Sequence, residues 1–321
     1  MTNSPSIDLA SACSQLVADA YCRPRPSAHV IVFANEKGGV GKSTLAFHAA
    51  IALANAGAKV LAVDCDSRQR SLHTALENRR GTMTCLGVPL PCPRSAVVER
   101  ASAGTAALLQ EIARMGAGCR FIVIDAPGYD SPLARCAIAL ADTLVTPVNA
   151  SFIDLAHLGR FNPADMSMIR PGPFGELVSG LQHARTQQGR GVADWLLFKN
   201  RVRGNEMRQQ ERVDHALALL AQGLGARVGS GFAERVGYRE LVMFGLTHPD
   251  LARIPQLGAV KVRETQEVDR MLAELRLPPM EVAAPRKEDV RAWVQAQTRS
   301  NYLNALRAHV SPQPTPLRAH A

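Results

Sequence analysis

The sequence predicts an α/β protein whose core is a doubly wound, mostly parallel sheet with helices on both faces. Three observations lead to that class. Short apolar, β-branched runs recur along the chain and alternate with helical patterns. The first such run passes directly into a Gly-rich turn and then a helix, the order in which an open α/β sheet builds a ligand-binding edge. Of the 321 residues 46% are apolar but only 5% aromatic, so the core is built from Ala, Val, Leu and Ile.

Taken in order, residues 6 to 21 read as a short helix with Leu9, Cys13, Leu16 and Ala20 on one stripe, broken by Arg23-Pro24-Arg25-Pro26. Residues 1–28 are therefore set apart as an N-terminal extension. The main domain is expected over 29–277 and opens on the buried run His29 to Ala34, followed by a helix from Ser43 to about Ala56. Further strand-like runs lie at Lys59–Asp64, Arg120–Asp125, Thr143–Val148 and Trp195–Phe198. Asn162 to Gly191 is too long for an ordinary loop and is expected to be a helical insertion. Arg203 to Leu224 reads as an amphipathic helix, with Val213, Leu217, Leu220 and Leu224 on one side and Arg208, Arg212 and His215 on the other. Residues 278–321 form a C-terminal extension with a helix from about Glu288 to Val310 and a Pro-rich tail.

Composition narrows the function classes. Thirty-seven Lys and Arg against 28 Asp and Glu leave a net charge of +9, which favours polyanionic partners. Seven cysteines with no Cys-x-x-Cys pair argue against a disulfide framework or a zinc ribbon. The first 22 residues lack Lys and Arg, and no uncharged apolar run reaches spanning length, so a cytoplasmic location is expected. His48 and His157 belong to no recognisable catalytic or metal pattern.

The strongest signal is Glu36-Lys37-Gly38-Gly39-Val40-Gly41-Lys42-Ser43-Thr44, set between strand and helix. Backbone N–H groups and the helix dipole converge there on an anion. The glycines let the chain wrap a phosphate chain, Lys42 supplies charge to the β and γ phosphates, and the Ser43 hydroxyl is placed to ligate Mg²⁺. Two strand ends complete the pattern. Val60 to Asp64 runs into Cys65-Asp66, and Phe121 to Asp125 runs into Ala126-Pro127-Gly128. An aspartate at a strand end is often only a turn former or a helix cap. With the phosphate loop upstream, Asp125 reads instead as a carboxylate that holds Mg²⁺ through water, and the Gly128 N–H as a γ-phosphate contact.

The loop has Glu36 where the ordinary phosphate-loop pattern has Gly, and it opens with a second lysine, Lys37. In this it resembles the deviant Walker A motif of the ParA/MinD group of P-loop ATPases. The resemblance implies that Lys37 reaches across an ATP-bound homodimer to the partner's nucleotide and that Asp66 positions the hydrolytic water near Mg²⁺, joining Ser43 and Asp125 in the metal site. Asp66-Ser-Arg-Gln-Arg70 departs from the Asp-Pro-Gln switch of most ParA proteins. Together with Thr146 to Asp154, Asp194 to Arg201 and Arg235 to Leu246, it is similar to the MipZ family of division-plane-positioning ATPases within that group. That likeness covers residues 29 to 277 and implies that Asn200 contacts adenine.

Lys199, Arg201, Arg203, Arg208 and Arg212 cluster in sequence, and Arg208 and Arg212 lie one turn apart on a polar helix face. Such a face is usually just solvated. The net charge and the resemblance point to non-specific double-stranded DNA, and the lack of stacking aromatics argues against single-strand or sequence-specific recognition. The resemblance further implies recruitment by ParB, inhibition of FtsZ polymerisation, and enrichment on the nucleoid near cell poles or chromosome origins. A ParA-type partition ATPase is the alternative. A reductase of the same fold would need a cluster-ligating cysteine close behind Asp125, whereas the next one is Cys136. No membrane anchor is expected, because the tail Ser311-Pro-Gln-Pro-Thr-Pro is not a basic amphipathic helix.

Overall fold

The computed structural model describes residues 9–22, 27–98, 104–149, 151–162, 164–201, 207–233, 236–254 and 265–279. The helix expected over Glu288 to Val310 and the Pro-rich tail lie outside them. None of the described helices is long and apolar enough to cross a membrane.

The first helix, α1 (Leu9–Ala20), buries Cys13, Val17 and Ala20 rather than a stripe beginning at Leu9, which is exposed. The main sheet begins with β1 (His29–Phe33), followed by the phosphate loop and α2 (Lys42–Asn55). Next come β2 (Val60–Asp64), α3 (Ser71–Leu86), β3 (Arg94–Val97), α4 (Gly104–Met115), β4 (Phe121–Asp125) and α5 (Pro132–Leu140). Ser131 caps α5 by accepting the Ala134 N–H at 3.1 Å, with Pro132 opening the helix where its missing N–H costs nothing. Then follow β5 (Thr143–Asn149) and the short α6 (Phe152–Leu155).

The insertion expected to be helical opens instead with an antiparallel pair, β6 (Gly159–Phe161) and β7 (Met168–Pro171), before α7 (Pro173–Gln187). Strands of three and four residues are too short to show alternation, so the pattern gave no warning. The chain continues through β8 (Asp194–Asn200), α8 (Met207–Leu224), β9 (Arg227–Gly229), α9 (Val236–Met243), α10 (His248–Leu251) and α11 (Thr265–Glu274).

Seven strands pair in the order β3-β2-β4-β1-β5-β8-β9, every pair parallel. Alternate side chains enter opposite cores. Val30 and Val32, Leu61 and Val63, and Ile122 and Ile124 face one core, which also takes in α1, α5, α7 and α8. Ile31 and Phe33, Val60 and Ala62, and Phe121 and Val123 face the other, packed by α2, α3 and α11. Burial on both faces is why these strands read as unbroken apolar runs. Helix α1 packs on α5 and α7, and the Arg190 guanidinium stacks 3.8 Å from the Tyr21 ring centroid just beyond it.

A buried ion pair braces α3 against α10. Arg79 donates from Nη1 and Nη2 to the two Asp250 carboxylate oxygens at 2.7 and 2.9 Å, and from Nη1 to the Gly245 carbonyl at 2.9 Å. Burial pushes the Asp250 carboxyl up, but Arg79 and the Thr247 donors outweigh it and hold the group below the usual carboxylate range.

Candidate functional site

Register brings the site together. In the ladder Phe33 lies opposite Asp125 and Asp64 lies opposite Asp125, so the C-terminal ends of β1, β2 and β4 share one edge of the sheet. The phosphate loop crosses that edge. Gly39 and Gly41 take left-handed backbone conformations, with φ of 74° and 92°. At Gly41 a Cβ would lie 2.2 Å from Asn200 Nδ2, so that position must be glycine both for its φ and for the close approach of β8. Asn35 pins the loop by donating to the Pro147 carbonyl at 2.8 Å and accepting the Lys37 N–H at 2.9 Å.

Lys42 opens α2, is buried, and donates from Nζ to the Lys37 carbonyl at 3.1 Å. Burial lowers its pKa against the opposing pull of Asp125 and Asp66. A Cβ on Gly128 would stand 3.1 Å from Lys42 Nζ, which places the loop after β4 directly against the P-loop lysine.

Asp125 is fully buried, and its carboxyl is pushed up to about 8 by that burial and by Asp64, with the Ser43 hydroxyl bond and Lys42 pulling the other way. Its Oδ1 has no hydrogen-bond partner among the described residues. A buried carboxylate short of one partner, hydrogen-bonded to the Ser43 hydroxyl beside a phosphate loop, is the donor set that fits a hydrated Mg²⁺.

The two carboxylates at and just past the end of β2 divide their work. Asp64, buried, accepts the Asp66 N–H at 2.9 Å and the His73 N–H at 3.0 Å, so it anchors the turn to the start of α3. Asp66 is half-buried, and its Oδ1 accepts the Arg68 and Gln69 N–H groups at 3.1 and 3.0 Å. In this state it caps its own turn within electrostatic reach of Lys42 and Asp125.

Lys37 turns its carbonyl, not its ammonium, toward Lys42. The ammonium is ion-paired with Asp154 of α6, a carboxylate that is 3% exposed. Sequence reasoning did not find this partner, although Asp154 closes one of the segments that carried the family likeness. An acidic residue just past a strand end, in a chain with an extra loop lysine, was the available signal.

Asn200, buried at the end of β8, donates from Nδ2 to the Val40 carbonyl at 2.7 Å and accepts the Arg201 N–H at 3.0 Å. It braces the loop from behind Gly41. The basic cluster is less uniform than its sequence. Lys199 Nζ lies 3.1 Å from both carboxylate oxygens of Asp214 on α8, so it is already engaged within the chain. Arg201 follows with a left-handed φ of 55°. Arg212 is exposed on α8, while Arg203 and the side chain of Arg208 lie outside the described residues.

Comparison with known proteins finds similar sequences and similar folds. The family ATPase MipZ matches residues 29–279. The chromosome-partitioning ATPase Soj of Thermus thermophilus is 36% identical over 143 residues, which span 39% of this chain and 56% of Soj. The maintenance of carboxysome distribution protein A of Gloeobacter kilaueensis is 29% identical over 219 residues, 64% of this chain and 91% of that protein. Among solved structures, apo McdA of Cyanothece superposes with a TM-score of 0.54 at 18% identity, covering 77% of this chain and 99% of McdA. A Cyanothece McdA variant in complex with ATP gives a TM-score of 0.54 at 17% identity, over 78% of this chain and 96% of the other. Both share the fold described above.

Proposed function

Because this chain belongs to the MipZ family of ATPases, we propose that it is an ATP-driven switch that dimerises on ATP, holds DNA non-specifically and inhibits FtsZ polymerisation to position the division plane. The observation that carries the switch is the pair of loop lysines. Lys42 fills the cradle of its own subunit, and Lys37 directs its charge to Asp154 instead. A lysine left over from its own cradle is available to complete a partner's.

Within one subunit the loop amides and Lys42 bind the phosphate chain, Ser43 and Asp125 hold Mg²⁺, and the Gly128 N–H faces the γ-phosphate. Bound Mg²⁺ supplies charge neutralisation at the phosphate oxygens. Asp66 leaves its capping role to orient water, and Asn200 turns its amide to the adenine. Phosphoryl transfer of this kind rests on positioning and charge, so turnover is slow until the partner's Lys37 arrives. ATP complexed with the McdA fold supports the choice of nucleotide.

Arg201, Arg203, Arg208 and Arg212 supply the DNA contacts, with Lys199 contributing little because Asp214 holds it. The net charge of +9 supports a polyanionic partner. ParB recruits the protein in this reading, and the cytoplasmic dimer collects on the nucleoid near poles or origins. A second reading, a ParA-type partition ATPase, is favoured by the names of the Soj and carboxysome-distribution relatives. Sedimentation of FtsZ polymer with this protein and ATP decides between them. Reduced polymer yield supports the division role, and unchanged yield selects partition.

A further inference from the structure

We propose that Arg160 and Arg170, facing each other across the β6–β7 ribbon, form a second anion site that takes a phosphate ester. The two residues are direct register partners in an antiparallel pair. Directly opposed side chains have Cβ atoms about 4.5–5.5 Å apart, where like charges destabilise the pairing. Both guanidinium groups are exposed, and neither forms an ion pair or hydrogen bond among the described residues. An anion lying between them removes the repulsion.

The ribbon cannot turn to separate the charges. Gly159 is packed against Leu220 and Met168 against Gly223, both on α8, which commits the ribbon's other face to the core. A register irregularity beyond Arg160 leaves Ile169 outside the pairing and 66% exposed beside the arginines.

The arginines open onto a cleft of about 460 Å³ that His157 and Glu176 also line. Its wall is fixed by backbone. Gly172 donates to the Leu158 carbonyl at 2.8 Å and Phe174 to the His157 carbonyl at 3.2 Å. A Cβ on residue 172 would come within 2.4 Å of the His157 carbonyl oxygen, so only glycine allows α7 to start this close. Two arginine charges stand against one carboxylate.

The chemistry selects the ligand. Each guanidinium is a planar fork that binds oxyanions in bidentate fashion, and two forks match a doubly charged tetrahedral group better than a single carboxylate. The cleft is larger than phosphate alone, so the charge is carried on a body, either a free phosphate monoester, which is doubly charged, or two neighbouring singly charged phosphates of a duplex DNA backbone. The site does not depend on how the nucleotide cradle works.

The test compares the full-length protein with the Arg160→Gln/Arg170→Gln double variant, both saturated with Mg-ADP so that the P-loop is equally filled. Pyrophosphate is titrated calorimetrically into each, and a short labelled duplex is bound in the ATP state over a range of salt. ATP hydrolysis without DNA reports that the variant folds and keeps its cradle. Loss of pyrophosphate affinity by about tenfold or more supports the site with a free ester as its ligand. A flatter dependence of log K on log salt, by about 2 per subunit, supports it with the DNA backbone as its ligand. Equal pyrophosphate binding and an equal salt slope in the two proteins overturn the proposal, and do so without touching the nucleotide or FtsZ reading.

Discussion

The Lys37 ammonium is ion-paired with Asp154 of its own chain, so the lysine proposed to reach a partner's nucleotide is held at home in the single subunit. In the proposed switch, dimerisation breaks this pair. Asp154→Asn keeps the shape and removes the charge, which frees Lys37. The dimer fraction at subsaturating ATP is expected to rise by roughly 2- to 5-fold in association constant, the scale of a partly exposed ion pair. Sedimentation velocity measures it, and a fraction at or below that of the wild type contradicts the latch.

The two loop lysines are expected to separate cleanly on mutation. Lys42→Ala removes the buried charge in the cradle and should abolish ATP binding. Lys37→Ala leaves that cradle intact, so it should still bind nucleotide yet remain monomeric. Equilibrium binding of a fluorescent ATP analogue, read beside the dimer fraction, checks this. Equal loss of affinity in both variants is the contrary result.

Asp66 carries a capping role that a truncation would also remove, since its Oδ1 accepts the Arg68 and Gln69 N–H groups. Asp66→Asn preserves an acceptor for those donors and is the cleaner variant. It is expected to bind ATP, dimerise and lose turnover by about 10²-fold or more. Hydrolysis and dimer fraction are measured together. A monomeric protein at saturating ATP shows that Asp66 supports binding instead.

His48 sits on α2 in contact with Phe47, Phe232 and Tyr238, and burial, with His248 adding to it, lowers its pKa to about 4. An unfolded histidine titrates near 6.5, so below that pH the unfolded chain takes up a proton that the native chain refuses. The stability this contributes is present above pH 6.5 and is lost as pH falls toward 4, by about 3 kcal/mol at most. His248 and Asp250 also face the ring. His48→Phe should flatten the stability–pH curve in that window, read by urea unfolding, and an unchanged slope assigns it to other groups.

Arg79 and Asp250 are both fully buried, so removing one strands the other. Arg79→Ala and Asp250→Ala should each destabilise by about 3–5 kcal/mol. The double variant should cost clearly less than their sum. Denaturant melts of the four-protein cycle test this, and additivity would show that the pair is not coupled.

The nucleotide edge was legible because its parts are local. A phosphate loop needs its glycines and lysine within nine consecutive residues, and Asp64, Asp66, Asp125 and Gly128 each sit at or just past the end of an apolar run. Five of the seven main-sheet strands announced themselves for the same reason, being buried on both faces. The edge strands β3 and β9 did not, since Arg94–Val97 and Arg227–Gly229 are short and partly exposed.

By itself, then, the sequence determined the α/β class, the phosphate cradle and the second lysine, because backbone conformation and strand burial are written in contiguous residues. Tertiary structure alone decided which partners those residues meet. Lys37 finds Asp154 across 117 positions, and Lys199 pairs with Asp214 on α8. Helix α1 joins the core through α5 and α7, and Arg160 meets Arg170 only because a short ribbon folds back. Electrostatic interactions act through space and are screened beyond about 10 Å at ordinary ionic strength, so charges distant in sequence become a latch, a neutral pair or an anion site only once the sheet has set their separation.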